Sequence, residues 1–152
     1  KKKFSEDWKE VRPKFYAEGS IPTISGQPAA KVKIDYIHGY YVGYEYDAAT
    51  QLYNRTMLGE AHTDKTSGAR LSASNVMVLF AKHKIVDKVG RREVDVTGPG
   101  KGYLLQQGQY REIEWANKDG MIRPYINGQE LELIPGQTWV QIVPEGSKVE
   151  YE

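Results

Sequence analysis

The stretch INGQELELIPGQTWVQIVP, residues 126–144, commits this chain to sheet. Asn127-Gly128 suits a two-residue hairpin turn whose central residues need positive φ, and on the strand that follows Leu131 and Leu133 alternate with Glu130 and Glu132. A second strand then ends at Pro144. The rest of the chain repeats this grammar. KVKIDYIH places Val32, Ile34 and Tyr36 on one face and Lys31, Lys33 and Asp35 on the other. YYVGYEY, LYNRTM, RREVDVT, YLLQQ, YREIEW and IRPYI read as further strands, separated by HG, DAATQ, GPGKG, GQ and ANKDG. NVMVLFA, residues 75–81, is apolar without alternation, as in a strand covered on both faces, and is the expected central strand. No repeat of fixed period marks a solenoid or propeller.

Only the beginning departs from sheet. Phe4, Trp8, Val11 and Phe15 recur at helical spacing, Ser5 can cap the first turn and Pro13 limits it, so one short N-terminal helix is expected, with Trp8 anchoring it to the sheet. Residues 17–30 concentrate Gly, Pro and Ser and read as an arm. The expected organisation is a helix and arm over residues 1–30, a β-rich domain over 31–146 and a tail over 147–152; the fold class is α+β, mainly β.

At 152 residues the chain can bury roughly two thirds of the surface its unfolded form would expose, as one domain. Its 21 basic and 20 acidic residues leave a net charge of +1, without the field of a nucleic-acid binder. Lys82 to Lys88 and Arg91-Arg92 form a mildly basic segment, interrupted by Asp87, Glu93 and Asp95. The absence of cysteine excludes disulfides, thiolate nucleophiles and cysteine metal sites. No apolar run approaches the about 20 residues of a membrane-spanning helix. The chain starts with Lys1 rather than methionine, and the expectation is a processed form or excised piece whose export signal or lipid-anchoring cysteine lay upstream.

The order of several motifs is familiar: Y-x-R at 53–55, H-x-D at 62–64, Asn75, the glycine loop at 98–102, the tryptophan strand YREIEW and PGQTW at 135–139. Over residues 30–144 this pattern resembles the C-terminal region of the YerB-like family of predicted lipoproteins from Gram-positive bacteria. The resemblance implies a layered sandwich rich in antiparallel sheet, a membrane-anchored life outside the cytoplasm, an additional N-terminal region of comparable size, and no assigned activity.

Three features could carry function. In an extended segment His62 and Asp64 point the same way, so they could act as base and orienter with Arg55 as a fixed charge and Asn75 nearby. The bland and preferred reading makes Asp64 and Thr63 turn formers in HTDKTSG, with His62 bonded to a neighbouring loop. Two ligands do not make a metal site, and His38 and His83 lack ligand-like spacing, so no metal or cofactor is expected. The glycines of GPGKG with Lys101 could cradle an anion, but neither phosphate-loop pattern is complete and a wide strand connection is the simpler reading. Six of the eleven tyrosines lie at 36, 40, 41, 44, 46 and 53. Alternation puts Tyr40, Val42, Tyr44 and Tyr46 on one face and Tyr41 opposite; together with Tyr53 the tyrosines could form a platform for glycan rings or an extended peptide, or simply pack across strands. Trp115 and Trp139, each in an alternating strand, are assigned to the core. No GxSxG elbow is present, and the carboxylates of Glu112, Glu114, Glu130 and Glu132 read as solvated strand faces.

The expectation is therefore a non-catalytic binding or scaffolding domain of an extracytoplasmic lipoprotein. Its partner would be a peptide, a protein or a cell-envelope glycan, and it would meet the membrane only through a lipid anchor outside this chain. The alternatives are a cell-envelope hydrolase or transferase using His62, Asp64 and Arg55, and a protein-interaction module for an intracellular partner.

Overall fold

A computed structural model describes residues 11–36 and 39–152. Among these residues the chain forms fifteen strands and no α-helix. They are β1 (Gln27–Pro28), β2 (Lys31–Asp35), β3 (Tyr41–Asp47), β4 (Leu52–Met57), β5 (Glu60–Ala61), β6 (Ser72–Ala73), β7 (Asn75–Ala81), β8 (His83–Ile85), β9 (Arg92–Val94), β10 (Gly100–Gln106), β11 (Gln109–Lys118), β12 (Met121–Ile126), β13 (Gln129–Glu130), β14 (Thr138–Pro144) and β15 (Lys148–Tyr151).

Two sheets carry the fold. The first has the order β13-β12-β11-β10-β7-β14, with β1 added to β11; the second runs β15-β2-β3-β4-β5, with β6 on β4. Neighbours are antiparallel except β14, which lies parallel to β7 in the register Thr138↔Asn75 to Pro144↔Ala81. Tight turns set the hairpin registers. Asn127 and Gly128 have φ of 50° and 76°, as a turn matching the twist of its strands requires, and Gln107-Gly108 and Asp119-Gly120 repeat the arrangement.

The sheets pack face to face as a sandwich. Val32, Ile34, Val42, Tyr44 and Tyr53 from the second sheet meet Val76, Val78, Leu105 and Val143 from the first in one buried cluster. The opposite face of the first sheet is covered too. There Met77, Leu79, Leu104, Ile113 and Trp115 pack with Leu133, which lies beyond β13, and with Val94 of β9. β7 is therefore buried on both sides, which explains its unbroken apolar sequence after Asn75; burying each large side chain contributes about 1.5–3 kcal/mol. Its place in the sheet is next to the edge strand β14 rather than central, because the parallel pairing ends the sheet there.

The ends of the chain correct two expectations. Most of the expected helix, including Trp8, falls on residues 1–10 and so outside the described residues. Its described end is not helical: Phe15 forms a parallel bridge with Leu133, Tyr16 N–H donates to Leu133 O at 3.0 Å, and Leu133 N–H donates to Lys14 O at 2.8 Å. The arm is docked, since β1 pairs with β11 and Ala29 is fully buried. Residues 148–151, expected as tail, form β15 on β2, with Val149 and Tyr151 turned toward the core.

Candidate functional site

The β3–β4 hairpin pairs Tyr44 with Arg55 and aims both between the sheets. The chain then turns back through β5, where His62 N–H donates to Arg55 O at 3.0 Å, so the His62 ring arrives beside the Arg55 side chain. Arg55 is 6% exposed. Its Nη1 donates to His62 Nδ1, its Nε to the Tyr44 hydroxyl at 3.4 Å and its Nη2 to Gln141 Oε1 at 3.5 Å. The guanidinium lies 4.7 Å from the centre of the Trp139 ring. Among the described residues no carboxylate forms an ion pair with it. Burying a cation is costly, and the aromatic face of Trp139 offsets part of that by about 2 kcal/mol when desolvated. The network continues across the sandwich: Tyr44 donates to Gln141 Oε1 at 2.6 Å, and Gln141 Nε2 donates to Tyr36. Burial pushes the Tyr44 phenol upward, opposed by Arg55, and the Tyr36 phenol upward, opposed by Gln141.

Arg55 and His62 are thus brought together, but Asp64 and Asn75 are elsewhere. The Asp64 carboxylate accepts from Ser67 N–H at 2.7 Å, Ser67 Oγ at 2.8 Å and Thr66 N–H at 3.1 Å, closing its own exposed loop. These bonds, the Ser67 amide first, hold its carboxyl below the usual range. None of them reaches His62. Asn75 anchors a separate buried network. Its Oδ1 accepts from Ile134 N–H at 2.9 Å and Gln106 Nε2 at 2.8 Å, while its Nδ2 donates to Ile134 O at 2.8 Å and Thr138 Oγ1 at 3.1 Å. Arg111 Nη2 extends this set by donating to Gln106 Oε1 at 2.6 Å. His38 lies outside the described residues, and His83 Nδ1 is 2.9 Å from Ala81 O. Among the described residues no group of three His, Cys, Asp or Glu converges as a metal site.

The tyrosines divide among three environments. Val42, Tyr44 and Tyr46 do share a face, but it is the one turned to the other sheet. Tyr44 and Tyr53 are 1% and 0% exposed, so neither can belong to a surface platform. Tyr46 packs against Tyr53 with ring centres 5.1 Å apart, and Tyr40 is exposed with its hydroxyl 3.0 Å from Met57 Sδ. Tyr41 alone of the five stands on the outer face of the second sheet, with Lys33 Nζ 4.9 Å from its ring centre. A shallow groove of about 460 Å³ runs there, lined by Lys33, Tyr41, Gly43, Glu45, Thr56 and Glu150. Its floor requires glycine, because a Cβ at Gly43 would lie 2.4 Å from Thr56 Oγ1.

Packing also explains the glycine loop. A Cβ at Gly100 would sit 2.5 Å from Trp115 Nε1, whose N–H donates to Phe80 O at 3.1 Å. The glycines admit the Trp115 ring, and the strand starts at once, with Lys101 exposed opposite Glu114. An aromatic cluster went unnoticed in the sequence. Tyr103, Tyr110 and Tyr151 come from three strands, the last two stacked with ring centres 4.0 Å apart. Only the period-two spacing of Tyr103 with Leu105 hinted at it.

Two packed sheets with β14 running parallel to β7, and a buried Arg55 set between them, describe a mainly β sandwich domain. Residues 32–140 match the family described as "Protein of unknown function (DUF3048) C-terminal domain", and the chain belongs to that family. One relative is the Bacillus subtilis (strain 168) protein named "Putative lipoprotein YerB", 38% identical over 104 residues, which make up 68% of this chain and 31% of that relative. The crystal structure of the YerB protein from Bacillus subtilis superposes with a TM-score of 0.72 at 30% identity, covering 83% of this chain and 45% of that one. The chain thus spans less than half the length of the relatives it matches.

Proposed function

We propose that this chain is a non-catalytic binding domain of a membrane-anchored extracytoplasmic lipoprotein, recognising an extended peptide, a protein segment or a cell-envelope glycan along the outer face of the second sheet. The observation that carries the reading is the groove around Tyr41. Its lining combines an aromatic ring, the cationic Lys33 and the carboxylates of Glu45 and Glu150 above a glycine floor. Such a surface suits a long polar ligand that presents apolar ring or backbone faces. The location rests on the name of the Bacillus subtilis relative.

The test is titration of the labelled protein with peptidoglycan fragments and short peptides, followed by nuclear magnetic resonance. The expected shifts centre on Lys33, Tyr41 and Thr56, and Tyr41→Ala weakens binding about tenfold, the scale of one lost aromatic contact. Shifts that avoid the groove, or unchanged affinity in Tyr41→Ala, would remove this reading.

A further inference from the structure

The β8–β9 hairpin stands apart from both sheets. Among the described residues its strands pair only with each other, in the register His83↔Val94, Lys84↔Glu93 and Ile85↔Arg92. Its base is fixed: Val94 packs into the second core cluster, and Asp95 N–H donates to Lys82 O at 3.0 Å. The tip is built as well. Asp87 Oδ1 accepts from Val89 N–H at 3.0 Å and Arg91 N–H at 3.1 Å, and Val86 N–H donates to Arg91 O at 2.9 Å.

This ordered tip presents aliphatic side chains to solvent. Ile85 is 63% exposed, Val86 53% and Val89 85%, although three such residues in five positions would ordinarily be buried. Around them Lys84, Lys88, Arg91 and Arg92 are all exposed. Within residues 84–93 Asp87 is paired with Arg91 and Glu93 stands opposite Lys84 in the register, so Lys88 and Arg92 remain as net positive charge. The whole chain carries only +1, which makes the tip a concentrated basic and apolar patch on a nearly neutral molecule.

We propose that the β8–β9 hairpin is a membrane-contact element: Ile85, Val86 and Val89 enter the interface of an anionic bilayer while Lys88 and Arg92 meet the lipid phosphates. Each half of that pattern selects the partner. Aliphatic side chains without a fixed complementary pocket find a favourable environment at the boundary of headgroups and acyl chains, and basic residues beside them are attracted to a negatively charged leaflet. A second copy of the hairpin is a poor occupant because it would set these cations against themselves. Three partly inserted side chains give weak, reversible contact, so the element orients the domain at a surface and does not anchor it. It is independent of the groove at Tyr41, and it gives this chain its own membrane contact, in addition to the lipid anchor expected outside it.

The chain has no cysteine, which makes a single label clean. Val89→Cys, labelled with a polarity-sensitive fluorophore, is mixed with phosphatidylcholine vesicles that contain or lack phosphatidylglycerol. Thr50→Cys on the β3–β4 turn is the control. The expected result is a blue shift at position 89 only, only with phosphatidylglycerol, and reversed by salt. In vesicle co-sedimentation, Lys88→Gln and Arg92→Gln each lower partitioning about fivefold, and Val89→Asp lowers it about tenfold or more. An unshifted label with anionic vesicles at low salt, equal partitioning of Val89→Asp, or a shift that grows with protein concentration in the absence of lipid would each overturn the proposal. The last would mark a protein-contact tip instead.

Discussion

Asn75 and Arg55 both sit in the interior, yet the side chain of one is held half by main chain and that of the other by side chains. Asn75 spends both ends of its amide on the backbone of Ile134, with Gln106 and Thr138 completing the set. That bonding fixes the chain after β13 over the first sheet and so places Leu133. Arg55 donates to an imidazole, a phenol and an amide, and stacks on Trp139. Side chains can readjust when one member changes, whereas a backbone amide has nowhere else to turn. The two clusters therefore teach different things: the first is part of how the fold closes, and the second is a buried charge held by neutral neighbours.

The sharpest way to break this contrast is Asn75→Ala. It strands Ile134 N–H and O and one Gln106 donor, and a loss of about 4 kcal/mol in denaturant unfolding is expected. A loss under about 1 kcal/mol would show that water replaces Asn75 and that the contrast is false.

Alkali should act on the Arg55 cluster through Tyr44, and on Tyr53 in the same core. Burial pushes the Tyr44 and Tyr53 phenols well above their ordinary value of 10.0. The fold holds them neutral, while the unfolded chain ionises them near 10.0. Their contribution is thus fully present below that pH and is lost as pH rises above it. Tyrosinate absorbance and circular dichroism should rise and fall together in this range. Tyr44→Phe should move the alkaline transition upward; no movement would detach Tyr44 from the effect.

The smallest effect is expected from Arg55→Met. Replacing a buried cation by an apolar chain removes both its hydrogen bonds and its desolvation penalty, and stability should change by about 1 kcal/mol or less in either direction. A loss of several kcal/mol would place Arg55 beside Asn75 as a closing element.

What the sequence disclosed follows from the range of the forces involved. Asn127-Gly128 was legible because positive φ at two successive residues is a local demand. The run VMVLFA after Asn75 was legible because burial on both faces leaves no polar position there. Alternation also paired Val42 with Tyr44 and Tyr46, but it cannot say which face of a strand meets another sheet when both carry large rings. The roles of Asn75 and Arg55 were hidden for a related reason: a polar residue in a strand looks solvated until a distant segment covers it. β14 supplies Trp139 and Gln141 to Arg55 and Thr138 to Asn75, from far along the chain. The sequence places His62 and Asp64 on one side of an extended segment, and the Asx-type turn at Asp64 ends that segment before the two can meet.

Residues 138–151 belong to both sheets, crossing between them at the turn closed by Ser147 N–H on Pro144 O. They lie along β7 in one sheet and β2 in the other, both far upstream. Such pairings close large loops before any contact compensates, which makes them late events in folding. During synthesis the earlier strands must therefore wait with β7 and β2 each lacking a neighbour, and the interval before residues 138–151 arrive is when the chain is most open to wrong partners.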